Sequence, residues 1–134
     1  MNDVFLDSVG MLAAWNASDQ WHAAAESAYR QIVSQKRPIV STTFVLLECG
    51  NSAARNPVLR SHVADLRRWL EQNQRLIVPT DADWVAAWAA YERGEAGNAG
   101  IVDHVSFSVM RRLSLTDAFT NDRHFAAAGF RTLF

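Results

Sequence analysis

Four carboxylates carry most of the chemistry open to this chain: Asp7, Glu48, Asp103 and Asp122. Asp7 closes the apolar run Val4-Phe5-Leu6 and is followed by Ser8. Three apolar residues ending in an acid read as a short buried strand that delivers a charge to its own C-terminal edge. An acid placed there is costly to bury without a cation or water beside it. Asp122 follows a similar run, Ala118-Phe119-Thr120, so two parallel strands would bring both acids to one sheet edge. Glu48 falls inside an apolar helix, with Asn51 and Arg55 at i+3 and i+7 as a polar ridge. Asp103 falls in the first turn of another helix. Taken singly, Glu48 reads as a solvated surface residue, and Asp103 and Asp122 as complements to helix N-termini. Together they read differently. Carboxylates crowded at one edge repel and take up protons unless a cation offsets them. An all-oxygen acid cluster suits Mg²⁺ or Mn²⁺, and such ions are well matched to phosphoryl hydrolysis.

The elements that must position these acids alternate. Val9 to Lys36 is helical in character, with Ser18 or Asp19 able to cap a second helix. Ile39-Val40-Ser41 is a second strand, and Thr42 or Thr43 caps the helix that carries Glu48. Asn56-Pro57 breaks that helix, and another runs to about Asn73. Leu76-Ile77-Val78 is a third strand. Thr80-x-x-Asp83 is a capping pair for a helix through Trp84 and Trp88. Glu95 to Gly100 reads as a loop, and a helix from about Val102 to Arg112 carries Asp103. Asp122 to Ala128 is a short helix stopped by Gly129, and Thr132 to Phe134 a last edge strand. Strands alternating with helices imply a three-layer α/β/α domain with a mainly parallel central sheet, one domain over residues 1–134. Asp117 lies five residues before Asp122, roughly 15 Å away along an extended strand. It is therefore expected at the opposite edge, as a turn or capping residue.

Composition narrows the class. With 49% hydrophobic and 20% charged residues over 134 positions, the chain can bury a core and is not disordered. A single cysteine, Cys49, rules out a disulfide framework within the chain and fits a reducing, cytoplasmic setting. No apolar run is long enough to span a bilayer, and no signal peptide is read. The net charge of −1 gives no overall basic field, but all basic residues other than Lys36 are arginine, which suits bidentate phosphate contacts. His22, His62, His104 and His124 show no metal-ligand spacing. His124 could reach the site through Asp122, but a surface or helix-packing role is expected of it. Cys49 reads as a small buried apolar residue. Trp84 and Trp88 share a helix face, read as core or subunit interface. Arg55, Arg60, Arg67 and Arg68 read equally as the flank of an RNA groove or as a solvated face.

Val-Phe-Leu-Asp-Ser at the start, Leu-Leu-Glu-Cys-Gly-Asn in the middle, Asp-His-Val-Ser-Phe-Ser-Val-Met from Asp103, and Phe-Thr-Asn-Asp-Arg-His-Phe followed by Ala-Gly-Phe near the end resemble a PIN-domain nuclease. Within that family the chain is most similar to the VapC-type toxins of bacterial toxin–antitoxin pairs, and the resemblance covers essentially its whole length. It places the family's acids on Asp7, Glu48, Asp103 and Asp122. Its small hydroxyl falls on Ser8, its asparagine on Asn51 and its threonine on Thr120. It implies a Mg²⁺- or Mn²⁺-dependent endoribonuclease, a homodimer restrained by a cognate antitoxin. One stretch departs: where relatives often carry a lysine and a Ser-Leu pair, this chain has Gly97-Asn98-Ala99-Gly100-Ile101-Val102. The alternatives are a catalytically impaired PIN-like module that only binds RNA or protein, and a metal-dependent phosphatase.

Overall fold

The computed structural model describes residues 3–134. Five parallel strands form one sheet in the order β3-β2-β1-β4-β5. They are β1 (Val4–Leu6), β2 (Ile39–Thr42), β3 (Leu76–Ile77), β4 (Asp117–Phe119) and β5 (Arg131–Thr132). β1 lies at the centre, and Val4, Phe5 and Leu6 are fully buried, as expected of a strand covered on both faces. The eight helices among the described residues are α1 (Ser8–Trp15), α2 (His22–Ser34), α3 (Thr43–Ala53), α4 (Pro57–Gln72), α5 (Asp81–Glu92), the single turn α6 (Glu95–Asn98), α7 (Ile101–Arg112) and α8 (Arg123–Ala127). The chain runs one way along the sheet from β1 to β3. It then returns past β1 to β4 and β5. With right-handed crossovers, these opposite directions put α1–α4 and α5–α8 on opposite faces. The result is the expected three-layer α/β/α architecture.

Local chemistry sets the helix starts. Thr42 caps α3, its hydroxyl accepting the Val45 N–H at 3.1 Å. Asn56 caps α4 with Pro57 at the first helical position. Thr80 and Asp83 form the reciprocal capping box expected of them. Gly10 allows α1 to lie directly on β4, since a Cβ there would stand 2.1 Å from the Phe119 carbonyl oxygen. No larger residue fits.

Several expectations are corrected. Neither Ser18 nor Asp19 caps α2, which begins at His22 behind Trp21. Asp19 instead accepts the Trp21 N–H and tightens the preceding turn. The stretch after Glu95 is not open loop but the tight turn α6, with Ala96 and Gly97 in the left-handed region. The last strand starts one residue earlier than expected, at Arg131. So does β4: Asp117 is its first residue, level with Val4 and Arg131. Asp117 does lie at the opposite edge from Asp7, but not as a turn or cap. It is a buried strand residue, ion-paired with Arg37 at 2.8 Å and reached by Arg131 at 3.4 Å. Trp84 and Trp88 do share a face, their rings 5.7 Å apart, with Trp84 half exposed. Arg67 and Arg68 are held by Glu71 and Asp65 on their own helix, a solvated face.

Candidate active site

The strand order places one crevice apart from all others. From β1 the chain first moves towards β2 and later returns to β4, so β1 and β4 flank the point where the topology switches direction. In open α/β sheets ligands bind there, beyond the carboxyl ends of the strands. Asp7 leaves β1 at this point, and Asp122 follows β4.

The register builds the site residue by residue. Leu6 is level with Phe119, so the next pair is Asp7 and Thr120. The Thr120 hydroxyl donates to Asp7 Oδ2 at 2.8 Å. The hydroxyl oxygen of Thr120 in turn accepts the Asp122 N–H at 3.0 Å. One buried hydroxyl thus ties the acid of β1 to the turn that presents the acid of β4. Asp7 also occupies the N-cap position of α1, yet its side chain takes no helix N–H. Its carboxylate accepts from Thr120 instead. On the other side, Phe5 is level with Val40, and the hydroxyl of the next residue, Ser41, donates to the Leu6 carbonyl at 2.8 Å. α3 starts at this edge and carries Glu48 over Ser8, whose hydroxyl donates to Glu48 Oε1 at 3.0 Å. Asp103, in the first turn of α7, accepts the Gly100 N–H. Asp122 caps α8, accepting the His124 N–H at 2.9 Å. The helix-terminus roles that Asp103 and Asp122 could have had alone are therefore filled, and both acids also stand near enough to the other two to raise them.

Electrostatics show how closely the four acids face one another. Asp7 is 1% exposed. Burial pushes its carboxyl up to about 7 against the pull of the Thr120 hydrogen bond, and the charges of Asp103, Glu48 and Asp122 push the same way. Asp103 is raised to about 6, first by burial and then by Asp122 and Glu48, with His124 and the Gly100 N–H opposing. Glu48 is raised by burial and by Asp122, against the Ser8 hydrogen bond. Cys49 sits behind them, fully buried, its thiol pushed to about 12 by burial and by Asp7 and Glu48. That excludes a thiolate nucleophile. Asp83 provides the contrast. Burial raises it, but Arg112, Thr80 and Ser108 outweigh that and hold it at about 2, a structural pair between α5 and α7.

The donor set fits a divalent cation. Carboxylates that buffer one another's charge by holding protons near neutrality are those a cation would discharge. Ligand atoms of Asp103, Asp122 and His124 all lie within 4.8 Å of one another. His124 is the residue sequence reasoning set aside. Its Nδ1 lies 2.7 Å from Asp122 Oδ1. The signal was local: an Asp at an N-cap accepts the N–H two residues on, and that turn brings the i+2 side chain back to the carboxylate. Asn51, one turn beyond Glu48, is exposed, and among the described residues its side chain has no hydrogen-bond partner.

The PIN domain family matches residues 4–131. The chain belongs to the PIN-domain family. Two curated relatives, both named 23S rRNA-specific endonuclease VapC20 and from two strains of Mycobacterium tuberculosis, are 30% identical over 132 residues, 95% of each chain. The crystal structure of Mycobacterium tuberculosis VapC20, described as a Sarcin-Ricin loop cleaving toxin, superposes with a TM-score of 0.77 at 26% identity, covering 95% of both chains. The expected VapC-type branch is thereby borne out. The PIN fold explains why the acids converge: its first and fourth strands lie side by side at the switch point.

The raised acids make an unusual pH profile. Between pH 4 and 7 the folded protein binds protons that the unfolded chain, with ordinary carboxyls, has released. Stability therefore falls as pH rises through this window. Asp83 acts oppositely, but its contribution is fully present above about pH 4 and is lost only below it. In chelator, the melting temperature should be several degrees higher at pH 5.5 than at pH 8, about 2–4 °C for each kcal/mol in a domain of this size. Mn²⁺ should raise it more at pH 8 than at pH 5.5. A thermal shift series across pH, with and without Mn²⁺, reads both; a melting temperature that climbs with pH in chelator contradicts the crowded-acid geometry.

Proposed function

We propose that this VapC-type PIN protein is a metal-dependent endoribonuclease, the toxin of a toxin–antitoxin pair. The observation that carries the reading is the convergence of Asp7, Glu48, Asp103 and Asp122 at the switch point, with Asp7 held by Thr120. The relatives named as 23S rRNA-specific endonucleases support RNA as the substrate class.

Asp7, Glu48, Asp103 and Asp122 would hold Mg²⁺ or Mn²⁺, directly or through water. When bound, the ion offsets charge on the scissile phosphate and makes water a stronger nucleophile. The protein's own groups do the positioning. Thr120 fixes the Asp7 carboxylate and, through the Asp122 N–H, the turn carrying Asp122. Ser8 fixes Glu48. Asn51, on the same helix one turn on, would orient water or substrate. Water attacks phosphorus, the bond to the 3′ oxygen breaks and that oxygen takes up a proton. The products are a 5′-phosphate and a 3′-hydroxyl.

The chain would act in the cytoplasm; no helix among the described residues is long and apolar enough to cross a membrane. It would pair with itself through the face that bears Phe44 and Trp84, whose rings lie 6.5 Å apart, and the exposed Leu47 and Val85. The antitoxin would enter the acid crevice with an arginine or lysine in place of the cation's charge.

Incubation of metal-stripped protein with a mixed RNA pool tests the reading. Cleavage is expected only after Mg²⁺ or Mn²⁺ is restored. Metal binding with no cleavage of any RNA supports a binding module, and turnover of a small phosphomonoester without RNA cleavage supports a phosphatase.

A further inference from the structure

We infer that Arg55 and Arg123 bind backbone phosphates of the RNA on either side of the acids, so that the strand is held at two points and cut between them. The inference rests on the endoribonuclease reading above and adds to it the groups that hold the substrate.

The chain has twelve arginines, and ten of them are paired. Among the described residues each of the ten gives a hydrogen bond or ion pair to a carboxylate or a backbone carbonyl. Exposure alone does not free an arginine here. The Arg30 and Arg131 side chains are 76% and 71% exposed, yet they reach Glu26 and Asp117. Arg55 and Arg123 are exposed and have no such partner among the described residues.

The fold puts both at the edge where the acids converge. Arg123 directly follows Asp122 and opens α8, which starts beyond the carboxyl end of β4. Arg55 is at i+7 from Glu48, about 10 Å along the helix axis, in the turn that leaves α3. The next helix, α4, is 16 residues or about 24 Å long and returns the chain to the start of β3. It therefore begins at the carboxyl edge, with Arg55 just before it. The two arginines follow β2 and β4, the strands on either side of β1 and Asp7.

Neither guanidinium is held by the acids beside it. The Asp122 carboxylate is engaged by the N–H and ring of His124, at 2.9 and 2.7 Å. Glu48 is shifted by burial, by Ser8 and by Asp122, and by no arginine. A polyanion needs such cations. The net charge of −1 gives no general attraction for RNA, and the crowded acids repel it. An ion among the acids serves the scissile phosphate, and the neighbouring phosphates need donors of their own. Guanidinium suits them because its planar fork meets two phosphate oxygens at once. Contacts of this kind hold the strand without reading its bases.

Steady-state cleavage of a single-stranded RNA oligonucleotide by the Mn²⁺-loaded full chain, at rising salt, tests the inference. Arg55→Gln and Arg123→Gln should each raise KM about tenfold, the scale of a charge-assisted hydrogen bond, with a smaller change in kcat. Each should also flatten the fall of log(1/KM) with log salt by about 0.7, one phosphate contact on a single strand. Arg55→Lys and Arg123→Lys should recover the wild-type slope. Arg68→Gln, whose side chain is held by Asp65 on a solvated face, should keep the wild-type KM and slope. Since neither arginine has a partner to lose, all variants should melt with wild type, so a changed KM is not a folding defect. An unchanged KM and slope in either glutamine variant, with wild type cleaving RNA, refutes the two-point contact and leaves the nuclease reading intact. Variants that keep their KM for RNA but lose a co-purified antitoxin put a protein on these arginines instead, and also refute it. If wild type cleaves no RNA, the nuclease reading fails and this inference with it.

Discussion

Asp7→Asn is expected to abolish RNA cleavage and weaken Mn²⁺ binding, while making the metal-free protein more stable. The two effects share one cause. Asp7 is buried at the end of the central strand, with its carboxyl raised to about 7 by burial and by three neighbouring acids. Holding it ionised at pH 8 costs the fold on the order of 4 kcal/mol relative to an ordinary carboxyl. Asparagine keeps the shape and an oxygen for the Thr120 hydroxyl but removes the charge. The metal-free variant should gain on the order of 2 kcal/mol at pH 8, since its amide must itself be buried. Urea melts in chelator and cleavage after metal restoration measure the two halves. A destabilised metal-free variant, or one with wild-type cleavage, contradicts the assignment.

The second large effect separates two aspartates on one strand. Asp122→Asn is expected to lower metal-dependent cleavage by orders of magnitude and leave stability nearly unchanged, because asparagine caps a helix as well as aspartate. Asp117→Asn should do the reverse. Asp117 stands at the far end of β4 from the crevice, level with Val4, where its carboxylate meets Arg37. Cleavage should stay within a few-fold of wild type. Stability should fall by about 3 kcal/mol, because the change breaks a largely buried ion pair. A turn or capping role for Asp117, the sequence expectation, would have implied only about 1–2 kcal/mol. An inactive Asp117→Asn would mean that the catalytic edge is the other one.

Much of this arrangement is legible in the sequence itself. Val4-Phe5-Leu6 followed by an acid reads as a strand that ends in a charge. The caps at Thr42 and Thr80 mark where two helices begin, and Asn56-Pro57 marks where one ends and the next starts. Those boundaries carry Glu48 and Asp122 to the edge where Asp7 emerges. What was hidden depended on contacts between distant segments. The role of Asp117 needs Arg37 and Arg131, which join it through strand order and not through sequence spacing. The double duty of Thr120 follows from the β1–β4 register, which is one residue of alignment. The place of His124 is not read from the sequence because its contact with Asp122 depends on the first turn of α8 folding the ring back beside the carboxylate. The α6 turn reads as plain loop because glycine and alanine say little about conformation, whereas the backbone there is a tight turn with Ala96 and Gly97 left-handed.

The central claim is that the acids hold a cation and that water, not the ribose, attacks the phosphate. Analysis of the RNA ends made by metal-stripped protein, before and after Mn²⁺ is restored, tests it most directly. The account predicts no cleavage in chelator and, with Mn²⁺, products bearing a 5′-phosphate and a 3′-hydroxyl. Cleavage that proceeds in chelator and leaves a 2′,3′-cyclic phosphate would contradict it.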